Sequence, residues 1–569
     1  MIINSASELN VTNVLKAHKH IVYIIVICII LHGLMVLISG AWWDDYKYYV
    51  FSMNDIKMHL LDEGRPSVYI INGAINWLPV WCFRLLDVLC WCLNAIFIYK
   101  IICVVLDDTD MAFGIALLYN AIPINDIRLM KCVFPYTVAL LLFWMAFYAI
   151  VLFVRSEKKG KKRICCRVIS LVLFFFSFTT NSLLVFYIIP IVVLWFLTYV
   201  CLKEKGILSR ITFFKEIVCY LDFYFLPFVF WIIKRVAFSP NPEGLYSNYN
   251  QVTVSKMIVS IKNMLPAFQH IIKEIVINWW EVLKKYCVMI CFMMILILVF
   301  HYTIYKNTTA IRSIKRNLWG MVAGVLVTMV GLFPYVVIRG GSIGTVGDSG
   351  RDALLIPLGV SIIIYSVSEM ILRYKWLWQS CCFFFIILSF FHFSNCYQRY
   401  ELEYYNYRAL GKYMEKSESI KDGTTFLYFR KGRQGIIGER FYVLNTISVE
   451  TFGDSKRFFA DGINSLHYIT DYEKKQLMHD DPVYGYAEYN LDDITIDGVI
   501  VADYQMDVKE AMRLRQEEAF MNKDIGDTLE KRLNYTYIPV TSNESRMIYE
   551  NWKSGSIKGL DDVLKLIDQ

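Results

Sequence analysis

Long apolar runs, separated by short polar segments, occupy most of the first 395 residues. Most of these runs are about as long as the roughly 20 residues that a helix needs to cross a bilayer. A further apolar segment, 67–82, is interrupted by Asn72, Asn76 and Pro79, which predicts an interfacial or re-entrant helix instead. We predict a polytopic α-helical membrane region with about eleven spans. The spans are 21–40, 84–106, 111–124, 134–154, 167–179, 182–202, 216–234, 286–305, 318–338, 353–372 and 376–395.

The pattern changes after residue 395, where charged side chains recur among the apolar ones. The segment YELEYYNYRALGKYMEKS has the spacing of an amphipathic helix, and VKEAMRLRQEEAF and DTLEKRL have that of exposed helices. The segments TTFLYFR, DITIDGVIVAD and YTYIPV have the character of strands. The sequence therefore predicts a membrane domain over residues 1–395 and a small α/β domain over residues 396–569.

Composition and charge support this division. Hydrophobic residues make up 56% of the chain and charged residues only 19%, below the quarter that is usual in soluble domains. Residues 1–395 carry a net charge of +14, whereas residues 396–569 carry −7. A basic membrane region with an acidic appendage favours contact with a charged lipid bilayer and argues against nucleic acid as a partner.

Basic clusters predict the orientation. Segments 155–167, 203–215, 306–316 and 373–375 all fall on the side of the N-terminus, which the positive-inside rule makes the cytoplasm. We therefore expect a multi-pass protein of the cell membrane with residues 396–569 outside. The loop 235–285 is expected outside as well, with an amphipathic helix lying on the outer leaflet.

The strongest candidate chemistry lies in residues 41–66, AWWDDYKYYVFSMNDIKMHLLDEGRP. Asp44 and Asp45 follow directly on the first apolar run, and carboxylates so close to hydrocarbon are costly to hold. Arg65 lies about twenty residues further on. An ordinary solvated loop is the alternative interpretation of this stretch.

Two other loops on the predicted outer side carry candidate residues. The glycine-rich segment RGGSIGTVGDSGRDA is bracketed by Arg339 and Arg351, and its backbone N–H groups are suited to an anion. The alternative is a flexible loop whose arginines lie at the lipid headgroups. Asn125, Asp126 and Lys131 share one short loop and either line a pocket or are ordinary interface residues.

Metal sites and tyrosines add two further expectations. The fifteen cysteines lie almost entirely in apolar runs and show no metal-ligand spacing, so we expect no certain cofactor. Asp44 and Asp45 can still hold a divalent cation together with phosphate oxygens. A third group, Tyr484, Tyr486 and Tyr489, either stacks on a sugar or belongs to the core of the C-terminal domain.

Acids and arginines on the outer face suit sugar transfer from a lipid phosphate. A carboxylate within about 3 Å of an acceptor hydroxyl accepts its proton as the new bond forms. Arginine or lysine then neutralises the anionic leaving group. Adjacent residues on an extended segment point in opposite directions, so only one of Asp44 and Asp45 is expected to face the donor.

The motifs DDYK (residues 44–47) and GRP (residues 64–66) resemble those of the bacterial O-antigen glucosyltransferase family. Those proteins are C-type (GT-C) membrane glycosyltransferases that use polyprenyl-phosphate sugars. The resemblance implies that Asp44 or Asp45 is the catalytic base and that Arg65 matches the arginine of the family motif. It also places Arg351, in GDSGRDALLIPLG, on a loop before a late helix. Lys47 stands where the family leads us to expect arginine.

We therefore predict an enzyme that transfers a hexose such as glucose from an undecaprenyl-phosphate carrier to a glycan acceptor. The acceptor is a surface glycan or its lipid-linked precursor. Arg65, Arg339 and Arg351 are the predicted contacts of the donor phosphate. The alternatives are a transporter or flippase of lipid-linked saccharide, and a surface polysaccharide polymerase.

Overall fold

The computed structural model describes most of the chain and divides it into two compact units. The described residues are 11–38, 40–156, 160–242, 253–305, 314–340, 343–372, 374–431, 436, 438–521, 525–530 and 533–567. The first unit comprises residues 1–37, 81–237 and 250–395, and the second comprises residues 38–80, 238–249 and 396–569. Parts of the predicted basic segments and of the loop 235–285 lie outside the described residues.

Helices make up the first unit. Seven helical segments in the described residues, of 24 to 50 residues each, are long and apolar enough to cross a membrane. Each of the predicted apolar runs falls mainly on a helix. The α-helices are Val11–His32, Leu34–Leu37, Val80–Leu106, Thr109–Ala121, Phe134–Arg155, Lys161–Ser177, Asn181–Phe186, Ile188–Glu204, Arg210–Val218, Leu221–Ala237, Val254–Tyr305, Ile314–Arg339, Pro357–Ile371 and Lys375–Lys416. Shorter 3₁₀ helices cover Asp126–Leu129, Lys131–Val133 and Gly347–Ala353.

The helix Val254–Tyr305 shows what becomes of the predicted loop 235–285. It runs through the second half of that loop and continues into the next apolar run across a kink at Tyr286. Ala267, Ile271 and Ile275 are buried. They are spaced four residues apart and therefore lie on one face of the helix. The indole N–H of Trp279 donates to the Ser389 hydroxyl at 2.9 Å. This face therefore packs against protein within the first unit.

The second unit is built around a four-stranded sheet. Strands β1 (Thr425–Lys431), β2 (Phe458–Asp461), β3 (Gly498–Tyr504) and β4 (Leu533–Pro539) lie in the order β2-β1-β3-β4. β1 is parallel to β2 and β3, and β4 is antiparallel to β3. The sequence pattern predicts β1, β3 and β4. The short β2, FFAD, gave no separate signal.

Helices and one end of the long helix Lys375–Lys416 surround the sheet. They are Asp45–Val50, Met53–Asp62, Pro66–Ile75, Glu418–Asp422, Phe441–Phe452, His467–Thr470, Tyr472–His479, Val508–Met521, Gly526–Glu530, Ser542–Lys553 and Leu560–Ile567, with 3₁₀ helices at Ile463–Leu466 and Pro482–Tyr484. The predicted helix DTLEKRL ends at Glu530, and its last residue, Leu533, belongs to β4. Residues far apart in sequence thus share one core.

The segment 38–80 is anchored in this second unit by aromatic contacts. Trp42 is fully buried, and its indole N–H donates to the backbone carbonyl of Tyr400 at 2.8 Å. Gly40 adopts a φ of +93°, and a Cβ there would lie 2.2 Å from the Tyr404 ring. Only glycine permits both that backbone conformation and that approach. The segment with the candidate acids is therefore held against the C-terminal end of the helix Lys375–Lys416.

Candidate functional site

The two adjacent acids occupy different environments at the start of the helix Asp45–Val50. Asp44 is the N-cap residue, but its side chain makes no capping hydrogen bond, and 31% of that side chain is exposed. Asp45 is fully buried. Trp43, just before them, has a left-handed φ of 51°, a conformation that is costly for a bulky residue. The turn at Trp43 thus leaves Asp44 as the accessible acid of the pair.

Lys47 and two tyrosines surround Asp44. The Lys47 ammonium lies 3.8 Å from a carboxylate oxygen of Asp44, one helical turn away. The same ammonium lies over the rings of Tyr442 and Tyr484, at 5.2 and 5.3 Å from the ring centres. Burial and the neighbouring Asp44 carboxylate raise the pKa of Tyr442 well above its ordinary value. Tyr442 therefore stays a neutral hydroxyl beside the acid.

A second charged cluster lies on the next helix, Met53–Asp62, and just beyond it. The His59 imidazole contacts Asp481 at 2.5 Å through Nδ1 and Glu63 at 3.3 Å through Nε2. Burial and Lys47 lower the pKa of His59, but hydrogen bonds to Asp481 and Glu63 outweigh them and raise it. Burial alone raises the pKa of Glu63, yet Arg65 and His59 bring it down to about 2. The buried imidazole thus joins two segments of the second unit.

The motif GRP at residues 64–66 has a local structural explanation. Gly64 has a φ of +69°, and a Cβ there would lie 2.7 Å from the carbonyl oxygen of Phe238. Pro66 is the first residue of the helix Pro66–Ile75, where its fixed φ and missing N–H cost nothing. Between them, the guanidinium of Arg65 pairs with Glu63 at 3.2 Å, and 32% of its side chain is exposed.

In the first unit, the loop with Asn125, Asp126 and Lys131 is buried. A carboxylate oxygen of Asp126 accepts the backbone N–H of Gly347 at 3.0 Å, and the Asn125 N–H donates to the Thr345 carbonyl at 3.2 Å. The Asn125 backbone is left-handed, with a φ of 59°. The sequence predicted that backbone N–H groups of the glycine-rich loop could bind an anion. The Gly347 N–H of that loop donates to Asp126 instead.

The two arginines that bracket this glycine-rich loop converge on one acid. The Nε of Arg339 lies 3.2 Å from Asp352, and the Nε of Arg351 lies 3.9 Å from the other oxygen of the same carboxylate. Both guanidinium groups are partly exposed. The structure thus brings Arg339 and Arg351 together in the first unit, and Asp44, Asp45 and Arg65 belong to the second.

Comparison with known proteins leaves the family open. No protein-family model matches this sequence, and no curated protein matches it. The resemblance to O-antigen glucosyltransferases accordingly depends on the motifs at residues 44–47 and 64–66. No group of three or more His, Cys, Asp or Glu side chains in the described part of the chain is arranged to hold a metal ion.

The structure also adds residues that the sequence did not single out. Tyr442, His59 and Asp481 lie around the candidate acid and its helix, but His59 and Asp481 are 422 positions apart, so no local pattern reveals their contact. The three tyrosines Tyr484, Tyr486 and Tyr489 are buried in the C-terminal core. Of the two interpretations given to that cluster, the structure favours the core.

Proposed function

We propose that this chain is a GT-C-type membrane glycosyltransferase. It transfers a hexose such as glucose from undecaprenyl phosphate to a surface glycan or its lipid-linked precursor. The observation that carries the proposal is the partly exposed carboxylate of Asp44, which follows the first apolar segment and adjoins Lys47 and Tyr442. Seven helices long and apolar enough to cross a membrane, found in the described residues, support a lipid-borne donor.

The proposed step needs one base and one cation. Asp44 accepts the proton of the acceptor hydroxyl while that oxygen forms a bond to the anomeric carbon of the donor sugar. The bond from the anomeric carbon to the phosphate oxygen breaks, and its electron pair leaves with the polyprenyl phosphate. Lys47, next to the base, is suited to stabilise the negative charge that develops. Tyr442 and Lys47 together fix the position of the carboxylate.

The remaining assignments follow the sequence. We propose a cytoplasmic N-terminus, a multi-pass bundle of about eleven spans and an extracytoplasmic second unit, as the basic clusters indicate. Arg65, Arg339 and Arg351 remain the predicted contacts of the donor phosphate. Each of them is paired with an acid, Arg65 with Glu63 and the other two with Asp352, so a phosphate would have to compete with those carboxylates.

The decisive experiment measures sugar transfer by the purified full-length protein in nanodiscs. Undecaprenyl-phosphate glucose is the donor, and lipid-linked glycan from the host is the acceptor. Asp44→Asn should lower the transfer rate at least about 100-fold, the lower end of the range for a general base. Asp62→Asn is the matched control, because Asp62 is an exposed acid of the same segment. Wild-type activity in Asp44→Asn contradicts the assignment.

A cellular experiment separates decoration from polymerisation. Surface glycan from cells with and without this protein is compared by mass spectrometry and by length on a gel. A lost side branch with an unchanged length distribution supports the transferase that we propose. A shortened ladder with unchanged repeat units points to a polymerase.

One observation favours a transporter of lipid-linked saccharide as the second candidate. Asp87 is fully buried on the apolar helix Val80–Leu106, where an acid is costly to hold. Buried acids on apolar helices often line transport paths. A transporter moves fluorescent lipid-linked saccharide across vesicle membranes without any sugar transfer, and Asp87→Asn stops that movement. The transferase proposal predicts that Asp87→Asn retains transfer.

A further inference from the structure

A cleft of about 590 Å³ lies in the second unit, and Ala41 and Tyr46, which flank the candidate acid in sequence, help to line it. Its volume falls within the range of small-molecule sites. Four helices form most of its walls: Asp45–Val50 with the residues before it, the end of Lys375–Lys416, Phe441–Phe452 and Gly526–Glu530. Val80 also lines it. The side chains that matter for its chemistry are Tyr46, Tyr49, Tyr404, Tyr407, Arg408 and Glu450.

Four tyrosines give the cleft aromatic walls. Tyr49 is 45% exposed and Tyr404 is partly exposed, so their rings are accessible from solvent. Tyr46 and Tyr407 lie deeper, with their rings edge to face at 5.7 Å. The hydroxyl of Tyr407 is buried and has no hydrogen-bond partner among the described residues. Tyr49 and Tyr404 are therefore the rings of this cleft that a ligand can contact.

The cleft is lined by two basic and two acidic side chains, so their charges cancel. Arg408 is bound to Glu518 at 2.7 Å, and Lys412 to Glu415 at 2.7 Å. Glu450 is exposed and makes no hydrogen bond or ion pair with any described residue. Burial of part of its side chain raises the pKa of Glu450, with Arg408 opposing the shift. The cleft therefore offers a carboxylate acceptor without an excess of positive charge, which suits a neutral, hydroxyl-rich ligand.

The helix Asp45–Val50 has this cleft on one side and the candidate base on the other. Asp44 and Lys47 are three residues apart and face Tyr442 and Tyr484, whereas Tyr46 and Tyr49, also three apart, face the cleft. From Asp44 to Tyr49 the helix rises only about 8 Å, at 1.5 Å per residue. The cleft and the candidate base thus lie on two faces of one short helix.

We propose that this cleft binds a neutral saccharide unit of the acceptor glycan, with Tyr49 and Tyr404 stacking on the sugar and Glu450 accepting its hydroxyl hydrogens. Aromatic rings match the apolar C–H face of a sugar, and a carboxylate matches its hydroxyl groups. The acceptor role rests on the proposed transferase function. The binding itself does not require that function.

The test measures binding by the full-length protein in nanodiscs, using titration calorimetry and saturation-transfer NMR. The neutral probes are maltotetraose and cellotetraose, and trigalacturonate is the acidic comparison. We expect a neutral probe to bind more tightly than trigalacturonate. Tyr49→Ala and Glu450→Gln should each raise its Kd by about tenfold, as expected for the loss of one aromatic contact or one charge-assisted hydrogen bond.

Two control variants separate this inference from general damage. Tyr49→Phe keeps the ring and should keep the affinity, and Glu488→Gln changes an exposed acid outside the cleft. Absence of neutral-probe binding, tighter binding of trigalacturonate, or unchanged affinity in both cleft variants overturns the inference.

Transfer assays distinguish its failure from that of the proposed function. Transfer with a wild-type acceptor KM in both cleft variants leaves the transferase standing and removes the acceptor site. Saccharide binding that depends on the cleft, without transfer to any acceptor, removes the transferase and with it the acceptor role.

Discussion

Asp44 and Asp126 occupy similar places in the sequence and different places in the structure. Each lies in a short polar segment next to a long apolar run, and the sequence offers each as a candidate for the outer face. Asp126 is fully buried and accepts the backbone N–H of Gly347. Asp44 is partly exposed, leaves its helix uncapped and adjoins a lysine and a tyrosine hydroxyl.

This difference distinguishes acids that stabilise the fold from acids that a substrate can reach. A buried carboxylate that accepts a backbone N–H is committed to a loop, because breaking that contact leaves a donor unsatisfied. A carboxylate that caps nothing and reaches solvent is free to meet a substrate. By this criterion Asp126 stabilises the glycine-rich loop of the first unit, and Asp44 is the candidate for chemistry.

The largest expected effect on stability comes from replacing Asp126 with alanine, and the same replacement at Asp44 provides the comparison. Asp126→Ala should lower the free energy of unfolding by about 3 kcal/mol, since it leaves the Gly347 N–H buried without its acceptor. Asp44→Ala should lower it less, by about 1 kcal/mol, because this partly exposed carboxylate loses only its contacts with Lys47 and Tyr442. Thermal unfolding of both variants in detergent, followed by tryptophan fluorescence, provides the measurement. Equal losses in the two variants would remove the distinction between these regions.

Asp126→Asn sharpens this comparison. The amide keeps an oxygen that can accept the Gly347 N–H, so this variant should retain most of the stability that alanine loses. If asparagine is as damaging as alanine, the negative charge rather than the hydrogen bond is what the loop requires.

Gly64→Ala tests how firmly the region of Asp44 is held. The new Cβ would meet the Phe238 carbonyl oxygen at 2.7 Å in a left-handed backbone, so we expect a loss of about 2 kcal/mol. Gly555→Ala is the matched control, because Gly555 has a similar φ of +71° with nothing within 4 Å. The difference between the melting temperatures of the two variants isolates the close contact from the backbone strain. No difference would mean that residues 238–240 do not constrain the motif.

The smallest effect concerns the pH dependence of the second unit. The pKa of His59 is raised in the folded state, so its contribution is complete below the unfolded value of 6.5 and is lost as pH rises through the folded pKa. Wild-type protein should therefore lose more stability than His59→Gln between pH 6 and pH 9. Melting temperatures across that range provide the measurement. Parallel pH profiles for the two proteins would show that the imidazole titrates without energetic coupling to folding.

Local patterns predicted much of the architecture. The apolar runs fall on helices, and three of the four strands coincide with β-branched and aromatic segments. The sequence did not predict β2, because FFAD is only four residues long. A segment that short shows too little alternation of apolar and polar residues to be distinguished from a loop. The second half of the loop 235–285 was predicted to be helical, but its packing against Ser389 depends on a residue about 110 positions away.

The candidate site also has features that local sequence predicts and features that only tertiary structure reveals. The sequence by itself determined the apolar helices, the α/β character of the C-terminal region and the presence of acids beside an apolar run, because hydrophobic period and residue type are local properties. Only the tertiary structure decided that Asp44 is accessible and Asp45 buried, that His59 meets Asp481, and that four tyrosines share one cleft. Burial and partnership depend on which distant segments pack together, and no window of neighbouring residues contains that information.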